Sequence, residues 1–422
     1  MTSRERIRAA LNHRQPDRVP VDFGGTVCSG LSASVISRLR SALGLDCTAR
    51  PVKVIEPFMM LGEIEDDLRD RMFVDTAGIF NTVNQFGFEN SGWKEWRTFD
   101  GADVLVPGLF NTVPDDNGNI PMYAQGDRTY PPCAVMPKGG YYFDNIIRQI
   151  PLDDDRLDPA DNAEDFGPFS EELLAVYERE SLRLYNETEY AVVFNMSGAG
   201  FGDIMNVPGT GLKDPRGIRD EAEWYLSLAA RRDYIHEVFD RQCGIALENL
   251  ALAREALGDR VELAYVTGAD FGTQRGPLIS PDAYRDLFKP FHRRICDWIH
   301  EHTTWKVMMH TCGGVRPLLD DIIDAGFDVL NPVQSSAAGM DARELKDEYG
   351  GRIVFWGGGV NTQKTLPFGT PEDVYREVSE RIRIFNTGGG FVFNAVHNIQ
   401  TGTPVENLRA MLDAIEDSFN NE

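Results

Sequence analysis

Short apolar runs alternate with helix-patterned stretches along this chain, and the alternation repeats eight times. The runs are expected as strands near Val19–Phe23, Met72–Val74, Ala191–Asn195, Glu262–Val266, Lys306–Met309, Val329–Asn331, Ile353–Trp356 and Phe391–Asn394. A helix between two strands returns the chain to its starting side, so the next strand pairs in parallel. Eight such units predict an α/β protein, a (β/α)8 TIM barrel whose active site lies at the C-terminal strand ends. A doubly wound open sheet is the competing fold. It calls for G-x-G-x-x-G after an early strand, whereas Gly357-Gly358-Gly359 is a different pattern and comes late.

Helix boundaries follow from capping chemistry. Ser280-Pro281 and Thr370-Pro371-Glu372 each put a hydroxyl before a proline that suits the first helical turn. Thr403-Pro404-Val405-Glu406 reads as a capping box for the last helix, and Ala325-Gly326 as a helix stop. Residues 1–422 are expected to form one barrel domain. Within it, residues 87–143 hold Trp93, Trp96, Phe99, Tyr123, Tyr130, Tyr141 and Tyr142 among turn signals such as Asp116-Asn117-Gly118. They read as β-hairpins inserted between strands two and three, either a cap on the rim or a lid and docking surface.

The net charge of −24, from 42 basic and 66 acidic side chains, argues against nucleic acid or anionic membrane as partners. No run of 18 apolar residues is present, so no membrane span is expected. The polar start, Met1-Thr2-Ser3-Arg4, lacks the apolar core of a signal peptide. Six scattered cysteines without a C-x-x-C pair suit a reducing compartment, and a cytoplasmic location is expected.

The chemistry concentrates at the end of the fifth strand, in Val307-Met308-Met309-His310-Thr311-Cys312-Gly313-Gly314. Residues two apart in extended chain face one side, so His310 and Cys312 can reach one ion, and imidazole with thiolate suits zinc (Zn2+). The alternative is a core histidine beside an inert thiol. A zinc site needs more ligands, and His397, just beyond the last strand, is the candidate third. His13, His236, His292, His300 and His302 fall in helical stretches and are expected at the surface. Asp270 is a possible fourth ligand or general base, or else a loop cap. Gln274 and Arg275 follow it, and Arg275 is suited to a substrate carboxylate or to Asp270. Asn195, Gln334 and Asn361 lie at or past other strand ends, where they would bind a small polar substrate. Cys28 has no special context and reads as structural; Trp356 and Phe355 read as core.

At these residues the chain resembles the uroporphyrinogen decarboxylase superfamily, and most of all its branch of cobalamin-dependent methyltransferases. The resemblance runs through Arg4-Glu5-Arg6-Ile7-Arg8, Asp17-Arg18-Val19-Pro20-Val21-Asp22, Gly276-Pro277-Leu278-Ile279-Ser280-Pro281, His310-Thr311-Cys312-Gly313-Gly314, Trp356-Gly357-Gly358-Gly359 and Gly402-Thr403-Pro404-Val405-Glu406. It implies the same barrel and an enzyme. In that branch a zinc held by H-x-C and a later cysteine activates a thiol, which exchanges a methyl group with cobalamin on a separate corrinoid protein. His310 and Cys312 match the motif, while His397 stands near the place of the later cysteine. That substitution suits activation of an ether or amine donor as well as a thiol acceptor, so either direction of transfer is open. The decarboxylases of the superfamily carry an arginine-rich clamp after the first strand. Here the stretch Asp22-Phe23-Gly24-Gly25-Thr26-Val27-Cys28-Ser29 has no arginine. A metal-free decarboxylase or lyase using Asp270 and Arg275, and a non-enzymatic corrinoid-docking protein, are the competing readings.

Overall fold

The computed structural model describes residues 1–45, 51–196 and 198–419; Cys47 lies outside them. Its centre is a curled, all-parallel seven-stranded sheet in an α/β arrangement consistent with a TIM-like barrel. In chain order the strands are β1 (Thr76–Ile79), β2 (Ala191–Asn195), β3 (Leu263–Thr267), β4 (Lys306–His310), β5 (Val329–Asn331), β6 (Val354–Trp356) and β7 (Phe391–Val392). Each pairs with its neighbour in sequence order.

The segment expected as the first strand meets both edges of this sheet. Asp22 N–H donates to the Phe393 carbonyl at 2.8 Å, and Asp75 N–H donates to the Val21 carbonyl at 2.8 Å. Only a single bridge, Val21 to Phe393, forms there instead of a strand over 19–23. Pro20 has no N–H to continue a ladder. The expected strand at Met72–Val74 is also corrected. Asp66–Arg71 forms a short helix ending at Met72. Phe73 then takes a φ of 59°, so pairing begins at Thr76. Asp75, which a strand over 72–74 would place just past its C-terminal end, therefore precedes β1. It lies at the opposite face, held by Arg6 at 2.6 Å and Arg18 at 2.9 Å.

Strand alternation sorts the core. Ala191, Val193, Leu263, Met308, Val329, Val354 and Val392 pack inside the curl with Ile7, Ala10 and Leu11. The last three share one face of helix Ser3–Leu11, which a Thr2–Glu5 capping box starts. Val192, Phe194, Val307 and Leu330 face outward into the larger core beneath the helices. One step further along the inward-facing positions come Asn195, Tyr265, His310, Asn331 and Trp356. An apolar layer thus supports a polar one towards the C-terminal strand ends.

Between β1 and β2 the chain forms antiparallel pairs. Lys94–Arg97 pairs with Asp103–Val106, and Ala134–Met136 pairs with Ile120–Met122 and Asp144–Asn145. The first pair is joined in parallel by Val52–Glu56, a strand that precedes β1 and that the sequence pattern did not announce. Phe58, Phe86, Phe110, Met122 and Phe143 form a separate apolar core for these strands. They sit against the loop that leaves β2: Gln85 donates to the Met205 carbonyl, and Arg148 to the carbonyls of Gly209 and Leu212.

Ser280 and Thr370 cap their helices through their hydroxyls. Thr403 does not: its hydroxyl donates to the Gln400 carbonyl, and the last helix, Val405–Ser418, starts after Pro404 without a side-chain cap. Among the described residues no helix is long and apolar enough to cross a membrane.

Candidate metal centre

His310 ends β4 with its side chain turned into the mouth of the curled sheet. The three following residues are pinned by neighbouring loops. Thr311 Oγ1 accepts from Phe271 N–H at 2.8 Å, Asp270 Oδ1 accepts from Cys312 N–H at 2.7 Å, and Gln334 Oε1 accepts from Gly313 N–H at 2.7 Å. Gly313 has a φ of +85° and packs so tightly on Gly272 that any Cβ would overlap the Gly272 backbone. The loops bearing Asp270 and Cys312 therefore approach as bare backbone.

Two overlapping groups of ligand atoms result, each with its members within 4.8 Å of one another. One is Cys28, His310 and His397; the other is Asp270, His310 and Cys312. His310 belongs to both. Its Nε2 lies 3.4 Å from Cys312 Sγ. A tetrahedral zinc with bonds of about 2.3 Å to sulfur and about 2.0 Å to nitrogen separates such atoms by about 3.5 Å. The His397 ring stands 5.4 Å from that of His310.

The His310 tautomer follows from its partners. Asn331 Nδ2 donates to the Trp356 carbonyl at 2.8 Å, which turns Asn331 Oδ1 towards His310 Nδ1 at 2.6 Å. Nδ1 must then carry the proton, leaving the Nε2 lone pair for the sulfurs or a metal. Trp356 is held in turn: its indole N–H donates to the buried carboxylate of Asp22 at 2.8 Å.

The electrostatics suit a cation. Burial lowers the His397 imidazole to about 3, helped by charge on His310, so it is neutral and a ready donor. Burial alone would lower His310, but the neighbouring sulfurs of Cys28 and Cys312 reverse this and raise it. Burial raises the Cys312 thiol. A metal ion bound by Nε2 and the sulfurs would displace the thiol protons. Asp203, on the loop after β2, is pushed up to about 6 by burial and by Asp270.

The remaining expected residues divide. Asn195 is buried, donates to the Gly25 and Ile79 carbonyls, and keeps an Oδ1 without a hydrogen-bond partner among the described residues. Asn394 Oδ1, beyond β7, is likewise unpartnered. Gln274 and Arg275 occupy the exposed tip of the hairpin made by Gly272–Thr273 and Gly276–Pro277. Gln274 reaches Gln363, which also accepts from Gln334. Asn361 uses its side-chain oxygen to cap its own turn, accepting from Gln363 N–H and Lys364 N–H. Cys28, Gln363 and Asp203 escape sequence reasoning as site residues. Strand alternation signals Asn331, two residues past inward-facing Val329, whereas the others are brought in by loops.

Of the histidines expected at the surface, His292 is the exception. It is 1% exposed, boxed by Phe201, Phe271, Phe288 and Phe327, and it bonds to the Tyr284 hydroxyl at 3.1 Å. Phe355 and Trp356 are fully buried, as expected.

Residues 263–418 match the family model described as uroporphyrinogen decarboxylase (URO-D). A uroporphyrinogen decarboxylase from Psychromonas ingrahamii is 28% identical over 145 residues, covering 34% of this chain and 39% of that protein. A methylated-thiol–coenzyme M methyltransferase from Methanosarcina mazei is 29% identical over 147 residues, covering 33% of this chain and 35% of that protein. These alignments span under two fifths of each relative's length. A solved methyltransferase from Methanosarcina mazei shares the fold over 99% of both chains, with a TM-score of 0.53 at 16% identity. The stretch that carries His310, Cys312 and His397 is the stretch that matches, and through it this chain resembles the uroporphyrinogen decarboxylase superfamily.

Proposed function

We propose that this chain is a cytoplasmic zinc-dependent methyltransferase that moves a methyl group between a small substrate and cobalamin carried by a corrinoid protein. The observation that carries the reading is the cluster in which His310 shares its reach with Cys312 and with His397. Thiolate and neutral imidazole are donors that suit zinc, and His310, Cys312 and His397 are assigned as its ligands, with His310 shared between the group that holds Cys312 and the group that holds His397. Bound there, zinc would supply Lewis acidity and stabilise a thiolate at neutral pH.

The chain's own groups do the rest. Asn331 holds His310 with its Nε2 lone pair facing the cluster. Asp270 fixes Cys312 through its backbone N–H and, with Gln274, orients the substrate. Asn195 offers its free Oδ1 to a substrate donor, while Arg275, Gln334 and Asn361 line the approach from the neighbouring loops. The whole chain acts as one barrel domain, with the segment 19–23 spanning the gap between the two edge strands through a single bridge and two backbone hydrogen bonds. The aromatic insertion at 87–143 serves as lid and receiving surface for the corrinoid domain. Its exposed Leu109, Val113, Tyr130, Tyr141 and Tyr142 support that role.

Decarboxylation of a porphyrinogen is the second reading, favoured by the names of several relatives. Against it, the loop after the first bridge lacks arginine, and the arginines of the N-terminal segment are engaged at the other end of the sheet. Arg6 and Arg18 hold Asp75, and Arg8 holds Glu262, both at strand starts.

The test is to mix the protein with cob(I)alamin and methyl donors, then with methylcobalamin and thiols, while following the cobalamin spectrum. Methyl transfer that disappears in His310→Ala and Cys312→Ala is expected. Porphyrinogen decarboxylation by the wild type, unchanged by those substitutions, would overturn the proposal.

A further inference from the structure

We propose that Cys28 is a fourth protein ligand of the same ion: the Cys28–His310–His397 group and the Cys312–His310 pair share His310, and an ion bound there draws the two together, so that two thiolates, Cys28 and Cys312, and two imidazoles, His310 and His397, hold it. The inference rests on the metal reading above and deepens it. It assigns a ligand from the first loop, far outside the matched residues 263–418.

The loop is built to hold the thiol in place. Val27–Ser29 is a single tight turn, and Thr26 and Ser29 cap each other's ends of it. Gly24 N–H donates to the Ser29 carbonyl at 2.9 Å, closing the loop's base. The same loop is fastened to the one that bears His397. Gly30 N–H donates to Asn398 Oδ1 at 2.9 Å, and Ile399 N–H donates to the Gly30 carbonyl at 3.0 Å. Cys28 and His397 are thereby carried by two loops joined to one another, both aimed at His310.

The surroundings of Cys28 differ from those of an inert core thiol. Cys133 and Cys243 are buried with their thiols against the backbone carbonyls of Met122 and Phe291. Burial pushes both up to about 11. Cys28 instead stands 3.4 Å from the Tyr265 hydroxyl and within the cluster of His310 and His397. The Tyr265 hydroxyl at that distance can donate to a Cys28 thiolate.

Charge balance points the same way. A buried dication with one thiolate leaves a net positive charge away from water, which is costly; a second thiolate cancels it. Asp270 is the rival for that place. Its Oδ1 already accepts the Cys312 N–H, and its side chain is 36% exposed, so it is suited to the rim of the site. On loading, the Cys28 and Cys312 S–H protons leave to solvent as the two metal–sulfur bonds form.

The experiment is zinc X-ray absorption on the zinc-loaded full chain, with zinc content measured in parallel. The wild type should show two sulfur neighbours, and Cys28→Ala and Cys28→Ser one each. Cys28→Ser preserves a partner for Tyr265, so its circular dichroism should match the wild type. One sulfur in the wild type, unchanged in both variants while zinc stays stoichiometric, would remove Cys28 from the site and leave the three-ligand reading intact. A wild type that binds no zinc would overturn that reading, and this inference with it.

Discussion

His310 and Asn331 act as one unit: Nδ1 of the imidazole lies 2.6 Å from the amide oxygen, and the amide nitrogen is anchored on the Trp356 carbonyl. Asn331 is 1% exposed, so no water can replace it without rearrangement. Partners of this kind fix the orientation of a ligating ring, and their loss typically costs about 10–100-fold in metal affinity. Asn331→Leu should weaken zinc binding by about that factor, read by competition with a chromogenic chelator. Asn331→Asp, which retains an acceptor for Nδ1, should lose less. Equal affinity in Asn331→Leu and wild type would show that His310 does not depend on this bond.

A second prediction concerns the buried carboxylate of Asp22 below the site. It accepts from the Trp356 indole at 2.8 Å, the Thr76 hydroxyl at 2.5 Å and Gly25 N–H at 2.9 Å. Asp22→Leu leaves three buried donors without an acceptor. At about 1–3 kcal/mol each, the loss should be at least about 3 kcal/mol. Chemical denaturation measures it; a loss under about 1 kcal/mol would mean that the donors find other partners.

His292 gives a pH dependence with a definite sign. Burial lowers its imidazole from 6.5 to about 3, so the folded protein keeps it neutral while the unfolded chain takes up a proton below pH 6.5. The unfolded state then binds more protons, and stability falls as pH drops from about 6.5 towards 3. Between pH 7 and pH 5 this one group should remove about 2 kcal/mol. His292→Phe should flatten the decline by that amount, although it starts less stable because Tyr284 loses its partner. Urea melts of both proteins at the two pH values provide the comparison. Parallel declines would place the titration elsewhere.

Much of the sheet was legible because its strands are buried on both faces and read as unbroken apolar runs. Ala191–Asn195 and Val329–Asn331 have the expected bounds. Met72–Val74 misled because an apolar triplet after a charged stretch fits a helix end as well as a strand. The left-handed turn at Phe73 that separates the two leaves no local signature. His292 was legible by position though not by residue type: Phe288, His292, Ile295 and Ile299 follow one another at helical spacing on a single buried face. Within the site, H-x-C was visible because its two residues share a strand end. Cys28 was not, because its proximity to His310 depends on how the first loop folds over the mouth to reach the central strand of the sheet.

Metal content of the full chain, purified without chelator, is the most direct measurement of the His310 centre. The wild type should hold about one zinc per chain, as a single mononuclear site requires, and Cys312→Ala and His310→Ala should lose most of it while remaining folded. Zinc absent from the wild type, or retained in full by Cys312→Ala, would contradict the assignment.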